Sequence, residues 1–500
     1  MTEPDTTLRD TTVRDLIDGT WSTPSVELDG WLEDPTTGKR RGPQLATHDA
    51  AVDAALAAAA RDHDAGALTA LSPAERADLL EAIASALEPR SAAIAAAESA
   101  ATGAVIGITS MLAFIVHASF RLAAAQLREG ATLQVLTADS GRPVEVHRRP
   151  WGPALSLVPW NAPAPMAAHK VANSLAAGCP SILKVSELAP DGSQVLAEVV
   201  GEVVADAGLP GGAFQFVHGG PSVGGRLVTD PRVRAVSFTG GLRGGREIAA
   251  ACAADLKPTQ LELGGNNALV LLDDVDTETA AAAVVALLTT LNGQWCRALG
   301  RLLLPASRAD ELLEAALAAL AEVRVGDPLD AGSDMGPIVH SGHLARLRSA
   351  LDRYAAAGGA AHAPTPVPDT PGNWLAPTLV TGLDAAVTVD EVFGPIAAVH
   401  TYGSDDEAVA LANGTPFGLE GYVFGADEER ALAVARRVRA GGVKVNGATV
   451  MSLHLFAPRP AWGLSGFAEE GTAETLRFFC GAQVVGVEEI PAFFGTGGGT

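Results

Sequence analysis

The sequence predicts an α/β protein of two large units, each built on a parallel sheet, with a β arm set apart from both. Three observations carry this expectation. Near-continuous apolar runs alternate with helix-length segments from 151 to 272, the pattern of a parallel sheet covered on both faces. A second alternation of the same kind starts near residue 278. Between the opening helices and the first sheet, ATLQVLTADSGRPVEVHRR (131–149) reads as two extended arms flanking Asp139-Ser140-Gly141. A chain of 500 residues is also too long for one small core and suits two such units.

In chain order, 48–60, 73–102 and 107–127 are Ala/Leu-rich and read as an opening helical layer. Ser72-Pro73-Ala74-Glu75 marks one start: a capping serine, proline at the first helical position and glutamate three residues after the cap. The 131–149 hairpin has no core of its own, so it should pack on another element, a neighbouring subunit included. Strands follow at 154–158, 181–184, 213–217, 234–238 and 267–272, with helices at 165–177, 189–206, 222–229 and 244–254 between them. The second unit has helices near 278–291, 308–322, 341–357, 404–412 and 427–440. Its strands include 300–304, 396–401, 421–424 and 443–446. The Pro/Ala/Gly-rich stretch 358–372 reads as a surface loop and the terminal GTGGGT as a frayed tail. The segment 482–487 reads as a late strand that completes the hairpin, in this subunit or in another.

Formal charge is −23, from 58 acidic against 35 basic residues, which gives no general attraction to nucleic acid or to an anionic membrane. The cysteines at 179, 252, 296 and 480 show no C-x-x-C spacing and no histidine cluster, so neither a metal site nor a disulfide framework is expected. MTEPDTTLRD has neither the basic flank nor the apolar core of a signal peptide. The apolar stretches 111–126 and 279–291 read as interrupted or too short to cross a bilayer. The expected location is cytoplasmic.

The chemistry centres on Cys296 in Asn292-Gly293-Gln294-Trp295-Cys296. A thiolate is an intrinsically strong nucleophile, and its pKa is set by its surroundings. Cys179, Cys252 and Cys480 have no such setting and read as small buried hydrophobes. Glu262 stands 34 positions before Cys296, in Leu261-Glu262-Leu263-Gly264-Gly265, and can serve as a base. Asn161, just past the 154–158 strand, offers a side-chain amide to an oxyanion, with the Cys296 N–H as a second donor. A plain turn asparagine or loop-capping glutamate would also satisfy either motif taken alone. No G-x-G-x-x-G follows the first strand. Instead Phe238-Thr239-Gly240-Gly241 ends a strand and opens a Gly-rich helix start that includes Gly245, where free amides could meet a phosphate.

Taken together, PWNAP (159–163), KVSE (184–187), FTGGLRGG (238–245), LELGG (261–265), NGQWC (292–296), DPLDAGSDMGP (327–337), EVFGP (391–395) and NGTPFGL (413–419) resemble the aldehyde dehydrogenase superfamily of the hydrolytic type, in its order and spacing, over nearly the whole chain. The resemblance implies an aldehyde dehydrogenase-like α/β subunit in three parts. These are an NAD-binding domain (1–129 and 150–261), a catalytic domain (262–464) and a bridging arm (130–149 and 478–500) that forms homodimers or homotetramers. Val185, Gly241 and Asn266 depart from the usual proline, serine and lysine, and Trp462-Gly463-Leu464-Ser465-Gly466 keeps only part of its motif.

What the resemblance implies for chemistry is attack of Cys296 on an aldehyde, a thioester, and water activated by Glu262. Family members that pass the acyl group to coenzyme A generally lack this glutamate, so the free carboxylic acid is the expected product. Lys184 and Glu187 would contact the adenosine ribose, and Glu391 with Phe393 the nicotinamide ribose. Pro159, Trp160, Phe238, Thr239, Gly240, Gly241, Gly245 and Leu263 complete the expected cofactor set. Glu187 would repel a 2′-phosphate, which favours NAD and leaves NADP open. Ala162, Met166, His169, Trp295, Arg297, Phe456 and Trp462 are the expected substrate pocket, suited to an aromatic or medium-chain aldehyde. Arg297 and His169 leave a second reading, a semialdehyde with an anionic end, and Arg297 could equally sit in an ordinary salt bridge. A coenzyme A-acylating enzyme and a non-catalytic scaffold are the remaining alternatives.

Overall fold

The chain opens with strands rather than helices. In the computed structural model, which describes residues 12–139 and 141–488, Asp15–Ile17, Thr20–Ser22, Val26–Glu33 and Arg40–Ala46 precede the first helix. The expected helical opening layer is corrected accordingly. Val26–Glu33 pairs with Arg40–Ala46 as a hairpin, while Asp15–Ile17 joins the edge of the first sheet. The helices Asp49–Asp64, Pro73–Leu87, Ser91–Thr102 and Ile106–Arg128 come next. The expected 73–102 helix is broken at Glu88-Pro89-Arg90, where proline cannot continue the ladder. Ser72 and Glu75 form the anticipated reciprocal cap.

The first sheet has eight strands in the order Thr20–Ser22, Asp15–Ile17, Phe214–Val217, Ser181–Lys184, Ala154–Leu157, Ala235–Thr239, Thr259–Glu262, Gly466–Phe467. The five from Phe214–Val217 to Thr259–Glu262 are parallel. From Ala154–Leu157 the chain winds outward in one direction, then returns to build Ala235–Thr239 on its other side. Those two neighbours therefore flank a switch point, where open parallel sheets hold their ligands. Thr259–Glu262 lay hidden in the LELGG motif and was not expected as a strand.

The second sheet runs Ala360–His362, Thr378–Thr381, Ile396–Tyr402, Leu299–Pro305, Asn267–Leu271, Glu420–Phe424, Gly442–Val445. All its pairings are parallel except that of Ala360–His362, a short edge strand inside the stretch expected to be pure loop. The third sheet is the arm: Cys480–Gly486 pairs with Pro143–Pro150, which pairs with Leu133–Thr137. The late strand thus completes the hairpin within the same chain. Ser140 and the GTGGGT tail lie outside the described residues.

Ile106–Arg128 is the one helix among the described residues long and apolar enough to cross a membrane, contrary to the reading of 111–126 as too interrupted. Here one of its faces is a core face: Val116, Phe120, Ala123 and Ala124 are buried with Leu80 and Ile83 of Pro73–Leu87 and Val171 of Pro163–Ala177.

Candidate active site

The sheet ends at the switch point deliver the expected residues to one place. Pro159, Trp160 and Asn161 follow the strand Ala154–Leu157, and Thr239-Gly240-Gly241 follows its neighbour. Glu262 is the last residue of the next strand, in register with Thr239. The helix Pro163–Ala177 begins directly after Asn161-Ala162, with Pro163 at its first position.

Cys296 reaches the same place from the second unit by an unusual turn. Leu291, Asn292 and Gly293 all have left-handed backbone, with φ of 49°, 58° and 69°. Two non-glycine residues in a row at such angles are costly and persist only where the surroundings enforce them. Asn292 is the enforcer. Its Nδ2 donates to the carbonyls of Gly103 (2.7 Å) and Pro337 (2.9 Å), and its Oδ1 accepts from the Gly336 N–H (2.8 Å). Gln294 Oε1 accepts from the Val339 N–H at 3.1 Å. The DPLDAGSDMGP motif is therefore the clamp on the turn that presents the thiol. Downstream, Asn267 Nδ2 donates to the carbonyls of Cys296 (2.9 Å) and Ala298 (2.8 Å). Gly265 packs so close to the Cys296 carbonyl that a Cβ there would lie 2.7 Å from its oxygen.

Asn161 Nδ2 donates to the Gln294 carbonyl at 2.9 Å, which places its amide beside the nucleophile turn and leaves its second N–H free of that bond. The Cys296 N–H makes no hydrogen bond among the described residues. Two donors of the kind an oxyanion needs thus stand near the thiol. Burial pushes the Cys296 thiol up to about 12, against which the Arg297 charge acts to lower it.

Glu262 is only 6% exposed, and its Oε1 has no hydrogen-bond partner. Burial, then the Glu470 charge, push its carboxyl up to about 8, while Arg297, Arg459 and Lys170 pull it back. Behind it lies a buried ionic group that sequence reasoning missed. Glu470 pairs with Arg459 at 3.1 Å, and Lys170 Nζ lies 3.8 Å from Glu470 and 2.6 Å from Ser237 Oγ. Lys170 sits nine residues after Asn161 and is the one lysine or arginine on an Ala-rich, largely buried helix, which was the available signal.

The cofactor fit can be tested on the same sheet ends. The helix Leu242–Ala253 starts at Gly241 with no side-chain cap, so its first N–H groups are unsatisfied by side chains and suited to a phosphate. A Cβ on Gly241 would meet nothing within 4 Å, so that start is open. Gly240 and Gly245 instead make room for the Phe238 ring and the Leu263 side chain. Thr239 Oγ1 is buried without a partner, as a ligand-facing hydroxyl would be. Lys184 Nζ donates to the Val185 carbonyl at 3.0 Å; burial lowers its pKa and Glu187 raises it. Glu391 Oε1 accepts from the Gly265 N–H at 2.8 Å, and its carboxylate fills the space that a side chain on Gly264 would need. The residues present fit a dinucleotide.

Comparison with known proteins decides the family. The profile of the aldehyde dehydrogenase family matches residues 31–485. The chain belongs to that family. It is an NAD(P)-dependent oxidoreductase of aldehydes. It is 34% identical over 467 residues to a 3-succinoylsemialdehyde-pyridine dehydrogenase from a Pseudomonas species, covering 91% of this chain and 94% of that one. A vanillin dehydrogenase from Pseudomonas fluorescens is 34% identical over 484 residues, 92% of this chain and 96% of that one. A crystal structure of betaine aldehyde dehydrogenase from Staphylococcus aureus with NAD+ superposes with a TM-score of 0.91 at 25% identity, covering 99% of each chain.

In this dehydrogenase the expected pocket residues divide. Trp295 and Ala162 are buried in the apolar core of the second unit, and Met166 packs on that of the first. His169 turns its Nε2 to Thr475 Oγ1 at 2.9 Å, and burial lowers its pKa to about 4. It is uncharged at neutral pH and offers no cation to an anionic substrate, which corrects that part of the expectation. Arg297 Nε lies 3.2 Å from Glu420 Oε2, the salt bridge kept open as an alternative. That Nε is buried and makes no hydrogen bond, so the contact is an ion pair alone, and the side chain is 13% exposed. Phe456 and Trp462 are each 50% exposed, on the loop that follows Lys444.

Proposed function

We propose that this enzyme oxidises a semialdehyde to the free carboxylic acid, with NAD as hydride acceptor. Cys296 is the nucleophile, Asn161 and the Cys296 N–H the oxyanion donors, and Glu262 the base that activates water. The observation that carries the chemistry is the convergence of Glu262, Asn161 and the Cys296 turn from two different sheets onto one switch point. The Cys296 thiol gives up its proton, to Glu262 and on to solvent, as its sulfur attacks the carbonyl carbon. The C–S bond forms, the C=O π bond opens, and the resulting thiohemiacetal oxyanion is held by Asn161 and the Cys296 N–H. NAD, when bound, supplies the acceptor for the hydride that leaves that carbon. The resulting thioester is cleaved by water, whose proton passes to Glu262. The buried, unpartnered oxygen of Glu262 suits this step, because a raised pKa makes a stronger base once the proton is lost.

NAD rather than NADP is supported by Glu187, whose charge opposes a 2′-phosphate, and by the Staphylococcus aureus relative bound to NAD+. The semialdehyde is supported by the Pseudomonas relative of that type and by the Arg297 charge, which acts on the neighbouring Cys296. Turnover on dicarboxylic semialdehydes and on aromatic aldehydes of matched length is the test. Preference for the semialdehydes that falls in Arg297→Met upholds the reading; strong preference for aromatic aldehydes in both proteins contradicts it. A second reading, an aromatic substrate, draws on the exposed Phe456 and Trp462 and on the vanillin dehydrogenase relative. The arm, with Val135, Leu136, Val484 and Val485 exposed on its strands, is proposed as the face for self-association, to be checked by light scattering of wild type and Val484→Lys.

A further inference from the structure

One buried side chain without a role so far touches aromatic residues of both units. His343 lies in the first turn of Ser341–Ala356, a helix of the second unit. Its Nε2 is 2.6 Å from the Phe393 carbonyl oxygen. A carbonyl only accepts, so Nε2 carries the proton and Nδ1 is a bare acceptor. That Nδ1 is buried and has no partner. The imidazole also meets Trp160 of the first unit edge to face, with centroids 5.2 Å apart and planes at 60°. Trp160 and Phe393 meet directly at 5.5 Å and 84°, and His343 and Phe393 at 6.2 Å. Three rings from two units therefore close a triangle.

The helix bearing His343 is itself fixed from the amino-terminal hairpin. Glu33 accepts from the Ser341 N–H at 2.9 Å and its Oγ at 2.8 Å, and the His340 ring accepts from the His343 N–H at 3.1 Å. Burial lowers the His343 pKa to about 4, with Arg346 and His340 adding to the effect against the Phe393 carbonyl. The ring therefore stays neutral and keeps one donor pattern at working pH.

We infer that His343 is a positioning residue: it locks Phe393 against Trp160 and so sets the width of the cleft in which the nicotinamide end of the cofactor must lie. The inference rests on the reading of Trp160 and Phe393 as cofactor walls. Nothing else on the Phe393 backbone carbonyl competes for that bond among the described residues.

Three full-length variants separate the two contacts. His343→Phe keeps a ring and loses the donor, His343→Gln keeps a donor and loses the ring, and His343→Ala loses both. The readouts are KM for NAD, kcat, and the primary isotope effect with aldehyde deuterated at the carbonyl carbon. His343→Ala should lower kcat about tenfold, raise KM for NAD and enlarge the isotope effect, as hydride transfer from a misplaced geometry becomes limiting. His343→Phe and His343→Gln should each recover part of the loss, and they decide the matter if the alanine variant does not fold. A lower melting temperature with unchanged KM and isotope effect would show a structural role only and overturn the inference. Trp160→Phe and Phe393→Leu are the controls: if neither moves KM for NAD or the isotope effect, the cofactor reading beneath the inference has failed.

Discussion

The turn that presents Cys296 and the stretch after Lys444, which carries the expected pocket residues Phe456 and Trp462, are held in different ways. The first has three left-handed residues and is bolted through Asn292, Gln294 and Asn267 to three separate segments, at 103, 267 and 336–339. The second is held by fewer, more scattered bonds: Lys444 Nζ donates to the carbonyls of Thr449 (2.6 Å) and Met451 (2.7 Å), Thr472 Oγ1 donates to the Leu455 carbonyl (2.7 Å), and Trp462 pairs with Gly418. Along it, Leu453, Leu455, Phe456 and Trp462 are half-exposed or more. With Phe456 and Trp462 read as pocket residues, the contrast would separate chemistry from choice of substrate. Reacting atoms need a geometry fixed to a fraction of an ångström, whereas a pocket mouth can vary its apolar surface without disturbing them.

If the division holds, changes to the turn should be far costlier than changes to the loop. Cys296→Ala should abolish NADH production on every aldehyde, since no other group supplies the nucleophile and leaving group. Asn161→Ala should lower turnover by about 10²–10³, as loss of one oxyanion donor does elsewhere, while NAD still binds. Asn292→Ala removes three buried hydrogen bonds from a strained turn and should destabilise the fold by about 3 kcal/mol, read by denaturant unfolding, with turnover falling in the protein that remains folded. Lys444→Met should leave kcat on a small aldehyde within a few-fold and change KM only for bulky ones. Trp462→Ala should do least, altering the ranking of substrates and not the rate of the best one. A large loss of kcat from either loop change, with folding intact, would erase the distinction.

Much of the turn was legible in the sequence and little of its support was. Cys296, Glu262 and Asn161 were legible because NGQWC, LELGG and PWNAP occur together in one order and spacing. Asn292 and Gly336 lay within quoted motifs, but a bond across 44 positions leaves no mark in local pattern. Lys170 and Glu470 were missed because they meet only in three dimensions. The two sheets could be read from apolar runs separated by helices, except that 267–272, read in the run of the first, stands in the middle of the second, and Thr378–Thr381 was not read at all. The amino-terminal hairpin was not, although Val26, Leu28 and Leu32 follow a period of two before Thr36-Thr37-Gly38; the stronger Ala/Leu pattern of the helices behind it set the reading. In the stretch after Lys444, exposed apolar residues give no periodicity at all.

The two-stage use of Cys296 and Glu262 is the centre of the account, and both groups resist ionisation in the resting protein. Burial raises the carboxyl of Glu262 to about 8, and a base acts only after losing its proton. Deacylation should therefore speed up as pH rises through about 8 and level off above it, and that rising limb should vanish in Glu262→Gln.

Rapid mixing of Glu262→Gln with aldehyde and NAD, followed by intact-mass measurement, tests the claim most directly. The residue keeps its size and loses its base, so acylation outruns hydrolysis. The account predicts a burst of NADH close to one per active site and an acyl group retained on Cys296. Steady, near-wild-type release of free acid, with no acyl-enzyme in the mass spectrum, would contradict it.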